Sequence, residues 1–197
     1  MRDPDRLGDI AVYKSELGGF RATPATEAAL ARVEVMLPEV DPQALLDLPR
    51  GALGREYAEL LRAHDLTPFR ISDRIEPALL RRNLFLARYS LLHDVYHVLT
   101  GFDTSLAGEA GVWAFVAGQR YRWSFWLVAF TACVAYPLVR PWQVFRIWRN
   151  AWRGAAMGRR AKSLITLPIE REWSRTVAEL RREHRIDPVA DLELVAA

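Results

Sequence analysis

Cysteine is almost absent from this 197-residue chain: the single Cys133 rules out a disulfide framework and a thiolate metal cluster. The stretch Met1–Phe20 lacks the apolar core of a signal peptide, and Asp3, Asp5, Asp9 and Glu16 argue against a transit peptide. The expectation is a reducing interior, with a bacterial cytoplasm ahead of an organelle. No segment alternates apolar and polar residues as a half-buried strand does, and there are no repeats and no low-complexity linker. Those absences leave an all-α chain. A length of 197 residues with 51% apolar content implies a single domain, 1–197, with a real core, and residues 188–197 read as a loose tail.

What is present reads as helices. Pro24–Leu37 has Ala28, Ala29, Val33 and Met36-Leu37 at helical spacing and is stopped by Pro38. Asp41-Pro42 opens a short turn, with proline at a tolerated first position. Leu53–His64 is amphipathic, with Tyr57, Leu60 and Leu61 on one side. Asp73–Thr100 is expected as one long helix, with Leu80, Leu84, Ala87, Leu91, Val95 and Val98 stepping by four and three. Leu167–Arg185 closes the chain, with Ile169, Trp173, Val177 and Leu180 inward.

Histidine is also scarce, and this makes its placement informative. Two of the four histidines stand in His93-Asp94-Val95-Tyr96-His97, and Glu109 follows after eleven intervening residues. On a helix His93 and His97 are one turn apart on one face, with Asp94 three residues before His97. Gly101 can take the left-handed conformation that ends a helix, and Thr104 or Ser105 can cap the next one. Glu109 would then lie in the first turns of that second helix, folded back toward the imidazoles. His93, Asp94, His97 and Glu109 are therefore candidate ligands and candidate catalytic residues of a divalent-metal site. Zinc (Zn2+) is the first choice, although iron, manganese and cobalt accept the same nitrogen and oxygen donors. A core histidine held by hydrogen bonds is the alternative. Against it, Leu91, Leu92, Val95, Val98 and Leu99 surround the pair, and an unsatisfied polar group in such surroundings costs roughly 2–7 kcal/mol. Gly108 beside Glu109 suggests close helix approach.

From Arg140 to Lys162 there is no acid. Trp142, Phe145, Trp148 and Trp152 share one helical face there, and Arg146, Arg149 and Arg153 occupy another. Aromatics opposite arginines suit a helix lying in a lipid headgroup layer; an ordinary helix packed on a core is the competing reading. Nucleic acid is disfavoured, because no nucleic-acid motif accompanies the stripe. Just before it, Trp123–Val139 runs seventeen residues without a charge. That is the lower limit for crossing a bilayer of about 30 Å, and Pro137 would interrupt its last turn. Core-buried, half-immersed and membrane-spanning placements all stay open for it, and peripheral attachment to the inner (cell) membrane is the expected arrangement.

The motif His93-Asp94-x-x-His97-x11-Glu109, preceded by Arg88-Tyr89 and containing Gly101-x-x-Thr104-x-x-x-Gly108, resembles the ubiquinone (coenzyme Q) biosynthesis protein 4 family. Leu48-Pro49-x-Gly51-x-Leu53-Gly54-x-x-Tyr57-Ala58 upstream is similar to another block of that family. So is Ala161-Lys162-Ser163-Leu164 downstream, with Glu170-Arg171-Glu172-Trp173 and Leu180-Arg181-x-Glu183. The likeness covers residues 45–187. Asp103 and Ser163 depart from it where proline is usual, and Ala52 where threonine is. The resemblance implies removal of the ring carboxyl of a polyprenyl-hydroxybenzoate intermediate at ring carbon 1, in some descriptions with hydroxylation there. It also implies a polyprenyl precursor lipid, other ubiquinone-biosynthesis proteins and a homo-oligomer as partners.

Arg88 and Arg171 could then pair with a substrate carboxylate, and Tyr89 shares the face of His93. Lys162 and Trp173 match the downstream block, with packing and solvation as their plainer roles, and Cys133 reads as a small core residue. Two functions remain open: a metal-dependent carboxy-lyase, and a non-catalytic lipid-binding scaffold that organises a biosynthetic complex. A phosphohydrolase of the His-Asp kind is the remote third.

Overall fold

Residues 5–189 are described by a computed structural model in which every regular element is helical, with no strand among the described residues. In chain order the helices are α1 (Asp5–Gly18), α2 (Pro24–Leu30), α3 (Pro42–Leu46), α4 (Leu53–Ala63), α5 (Pro77–Arg82) and α6 (Leu84–Thr100). They continue with α7 (Leu106–Gly118), α8 (Ser124–Val139), a 3-10 turn at Pro141–Gln143, α9 (Val144–Arg160), α10 (Ile169–Glu172) and α11 (Val177–His184). The all-α expectation holds. The chain forms two compact units, each assembled from two stretches of sequence: Met1–Asp94 with Ile165–Arg175, and Val95–Leu164 with Thr176–Ala197.

Short helices with explicit stops make up most of the first unit. Thr23 caps α2 by accepting from the Thr26 amide, with Pro24 in the first turn, and Asp41 caps α3 in the same way through Gln43. Helix α2 ends at Leu30, seven residues short of the expected Leu37. The reason lies elsewhere in the unit: Arg88 is fully buried and its guanidinium takes the carbonyls of Val35 and Met36 at 3.4 and 2.7 Å. It also donates to the carbonyls of Ile165, at 3.3 Å, and Leu167. Backbone that satisfies a buried guanidinium leaves the helix ladder.

The single long helix expected over 73–100 is two helices, α5 and α6, broken at Asn83. The Asn83 amide donates to the Leu79 carbonyl at 2.9 Å and to Glu16 at 2.7 Å. It thereby takes the acceptor its own backbone N–H would use in a continuing helix. The expected closing helix is also divided. The Trp173 and Arg175 carbonyls turn to receive the Gly54 and Leu53 amides of α4 at 2.9 and 2.8 Å, which supplies the donors of an α4 start whose N-cap, Ala52, has no side-chain bond to offer. A capping box of Thr176 and Glu179 then starts α11 afresh.

In the second unit, α7 is buried at every position except Leu106, Glu109 and Trp113. Glycines let α9 approach it closely: a Cβ on Gly154 would overlap the Gly111 carbonyl oxygen, and one on Gly158 the Phe115 carbonyl oxygen. Asn150 fixes the pairing with a bond to the Ala107 carbonyl at 3.0 Å. Helix α8 continues through Pro137 to Val139, so the proline does not interrupt the last turn as expected. Proline has no N–H for the carbonyl four residues back; here that carbonyl, of Cys133, receives the Trp148 indole N–H at 3.0 Å instead.

The faces of α8 and α9 decide where the aromatic stripe goes. Helix α9 buries Ile147, Ala151, Ala155 and Met157 and leaves Phe145, Trp148 and Trp152 outside, Phe145 81% exposed. Trp126, Leu127, Phe130, Val134 and Leu138 of α8 are exposed as well, and Trp142 precedes α9 in the same state. The stripe is therefore an outer surface of this unit. No helix among the described residues is long and apolar enough to cross a membrane. The expected loose tail falls mostly outside the described residues, and Val189, the last of them, still donates to the Thr100 carbonyl at 3.0 Å.

Candidate metal centre

Helix geometry puts His93 and His97 one turn apart on α6, and the end of that helix sets the second imidazole. Gly101, at a φ of +76°, adopts the left-handed conformation, with its amide on the His97 carbonyl at 2.9 Å. That turn brings the Phe102 carbonyl to His97 Nδ1 at 2.9 Å. A carbonyl only accepts, so Nδ1 carries the proton and Nε2 is the ring nitrogen left with a lone pair in the neutral imidazole. Arg181 supports the same helix end by donating to the Val98 and Leu99 carbonyls at 3.1 and 2.9 Å.

Of the two expected caps, Thr104 and Ser105, it is Ser105 that caps α7, accepting from the Gly108 amide at 3.3 Å. Asp103 holds Ser105 in turn, from its amide at 3.2 Å and its hydroxyl at 2.5 Å, and pairs with Arg146 of α9. Gly108 lies where a Cβ would overlap the Asp103 carbonyl oxygen, so its close approach is to the loop between α6 and α7 and not to a helix as expected. Glu109 then projects from the first turn, its Oε1 at 3.2 Å from His97 Nε2.

The result is a group of three. His93, His97 and Glu109 each offer one ligand atom, and these atoms lie within 4.8 Å of one another. Two observations test whether a cation fits. First, with Nδ1 protonated, Nε2 of neutral His97 and the Glu109 carboxylate oxygen are both acceptors, and two acceptors at 3.2 Å call for a proton or a cation between them. Second, the donor set of two nitrogens and one oxygen is that of many divalent sites. The group fits a metal. His97 is 1% exposed and Glu109 24%, so the set is anchored inside and open at one edge.

Asp94 lies outside that group. Its carboxylate stands 3.3 Å from His93 Nδ1, which turns His93 Nε2 away from it; a carboxylate behind a ligating histidine orients the ring and raises its basicity. Tyr89 is buried against His93, ring edge to ring at 6.1 Å. Burial, and after it the charge of Asp94, push the phenol of Tyr57 up from its ordinary value.

The two arginines proposed for a substrate carboxylate do other work. Arg88 is the buried clasp described above, and Arg171 is exposed in a pair with Glu34. Trp173 packs at 5.2 Å on Tyr57, Lys162 is exposed, and Cys133 is half-buried with its thiol pushed up by burial. Sequence reasoning missed Tyr136 of α8, which packs against the cluster of Ala107, Ala110, Ala132 and Ile147. It also missed Trp113, one turn after Glu109. The spacing of Trp113 was readable, but Tyr136 was hidden in the uncharged run.

Comparison with known proteins agrees with the motif. Residues 23–190 match the family model of the coenzyme Q (ubiquinone) biosynthesis protein Coq4. The chain is 30% identical over 169 residues to the mitochondrial ubiquinone biosynthesis protein COQ4 homolog of Rattus norvegicus, covering 80% of this chain and 58% of that protein. For the Homo sapiens homolog the figures are 31% over 157 residues, 77% and 57%. The chain thus spans somewhat over half the length of these relatives. A crystal structure from Nostoc punctiforme, of a candidate ubiquinone biosynthesis protein, shares the fold with a TM-score of 0.68 at 22% identity, over 90% of this chain and 80% of that one. With the family model matched across most of its length, the chain belongs to the coenzyme Q (ubiquinone) biosynthesis protein Coq4 family.

Proposed function

We propose that this protein removes the ring carboxyl, at ring carbon 1, from a polyprenyl-hydroxybenzoate precursor of ubiquinone, with a divalent ion, zinc first, at His93, His97 and Glu109. The convergence of those three side chains carries the reading. Three protein ligands leave a coordination position for a substrate oxygen, whereas a structural zinc site is closed by four. A bound cation would supply Lewis acidity toward a phenolate or carboxylate oxygen. The chain's own part is orientation. The Phe102 carbonyl fixes the tautomer of His97, Asp94 sets the ring of His93, and the capped first turn of α7 delivers Glu109. Asp94 is proposed as the residue behind His93 in place of a direct ligand.

The same reading places the protein on a membrane surface. A polyprenyl tail stays in lipid, and the exposed Trp123, Phe130, Trp142, Phe145 and Trp152, among cations with no intervening acid, make a face suited to anionic headgroups. The relatives compared are named as mitochondrial; for this chain the cytoplasmic side of the inner (cell) membrane is proposed. A homo-oligomer and other enzymes of the pathway are its proposed company.

Glu109→Ala in a strain dependent on this gene is the test. The expected result is loss of ubiquinone with accumulation of the carboxylated precursor, while the purified variant keeps its helical circular dichroism and its binding to anionic vesicles. Unchanged ubiquinone would remove the enzyme reading and favour the lipid-binding scaffold, for which the exposed aromatic face is the supporting observation.

A further inference from the structure

We propose that the hydroxyl of Tyr136 donates a hydrogen bond to the phenolic oxygen of an aromatic ligand held at the His93, His97 and Glu109 group, and that the Trp113 indole fixes where that hydroxyl sits. The inference rests on the functional reading above and names a residue that recognises the ligand. It starts from α7. Glu109 and Trp113 are one turn apart, and with Leu106 they are the only positions of that helix not fully buried. The one open stripe of α7 therefore carries a proposed ligand and an indole side by side.

Tyr136 comes to this stripe from α8. It is half-buried against the cluster formed by Ala107, Ala110, Ala132 and Ile147, in which Ala107 and Ala110 stand either side of Glu109 on α7. Its oxygen accepts the Trp113 indole N–H. That indole is itself held, because the Trp113 ring stacks on Phe125 with centroids 6.2 Å apart and planes 29° apart. A phenol has one proton to give and two lone pairs. With one lone pair engaged by Trp113, the phenol still has its proton to give to an acceptor. A tyrosine phenol ordinarily keeps its proton at neutral pH and so can act as a donor there. A ligand with a phenolate next to the ion would meet it; one lacking the ring oxygen would not.

The test uses the full chain loaded with Co2+, whose absorbance reports its coordination, and compares 4-hydroxybenzoate with benzoate, which differ only by the ring hydroxyl. Tyr136→Phe should bind Co2+ and benzoate as the parent protein does, and bind 4-hydroxybenzoate about tenfold more weakly. Trp113→Phe keeps the stacking on Phe125 and removes the indole N–H. It should weaken 4-hydroxybenzoate about threefold and serves alone if the first variant does not fold. Equal affinity of the parent and whichever folded variant is measured for 4-hydroxybenzoate would overturn the proposal and leave the metal reading standing. Co2+ binding that is unaffected by Glu109→Ala would overturn the metal reading, and this proposal with it.

Discussion

In the first unit the chain between short helices is tied by a side chain: buried Arg88 takes carbonyls from the 35–36 turn and the 165–167 segment, and Asn83 and the Trp173–Arg175 turn set helix ends. In the second unit long helices meet backbone to backbone, Gly154 and Gly158 of α9 against the carbonyls of Gly111 and Phe115 on α7. One arrangement depends on polar groups satisfied without water, the other on the absence of side chains. The lesson is where each is vulnerable. A directional clasp fails when its donors are removed, and a tight helix pair fails when atoms are added.

The largest expected effect follows from the clasp. Arg88→Met keeps volume but leaves several buried carbonyls without their donor, at about 4 kcal/mol of stability in total. Hydrogen exchange should speed up around 33–36 and 165–167 while α7 and α9 stay protected; equal acceleration in α7 and α9 would break the comparison. Gly158→Leu should do the reverse, costing about 2–3 kcal/mol by overpacking and exposing the amides of α7 first, as read by the same exchange experiment. Trp148→Phe removes the donor that replaces the missing proline N–H at the Cys133 carbonyl, a loss of about 1 kcal/mol in denaturant unfolding. A loss near zero would mean that water serves that carbonyl equally well.

The smallest effect is a pH dependence in the first unit. Bonds from Asn83 first, and then Arg82, hold the Glu16 carboxyl below the ordinary glutamate value of 4.5. Its folded-state value is the lower one, so its contribution is present above pH 4.5 and fades as pH falls through the folded value. Thermal midpoints of the parent and Glu16→Gln should therefore differ at neutral pH and converge in acid. Divergence on acidification would reverse the assignment.

Much of the candidate site was legible because it is local. His93 and His97 share a face by helix geometry alone, Gly101 was readable as a left-handed stop, and Ser105 as a cap. Helix α4 was readable for the same reason, its Tyr57, Leu60 and Leu61 falling on the buried side. Helix α1 was not legible, because its hydrophobic pattern is weak. The breaks at Asn83 and at Trp173–Arg175, and the early end of α2, were unreadable because each is caused by a partner distant in sequence. The two arginines show the same limit. Sequence offers a charge, and only packing decides that Arg88 is spent on backbone carbonyls and Arg171 on Glu34.

By itself the sequence determined the helical class, the pairing of two imidazoles on one face and the row of Phe145, Trp148 and Trp152 on α9, since a 3.6-residue period fixes which side chains are neighbours on one helix. Trp142, expected on the same face, lies in the 3-10 turn before α9, with Arg140 over its ring. Only the tertiary structure decided that Asp94 stands behind His93, that Glu109 faces His97 with Tyr136 and Trp113 beside it, and that the aromatic stripe is an outer surface. Periodicity defines a face but not what covers it. The choice of covering partner belongs to side chains and backbone groups far apart in the chain, whose hydrogen bonds and close approaches exist only once the helices have packed.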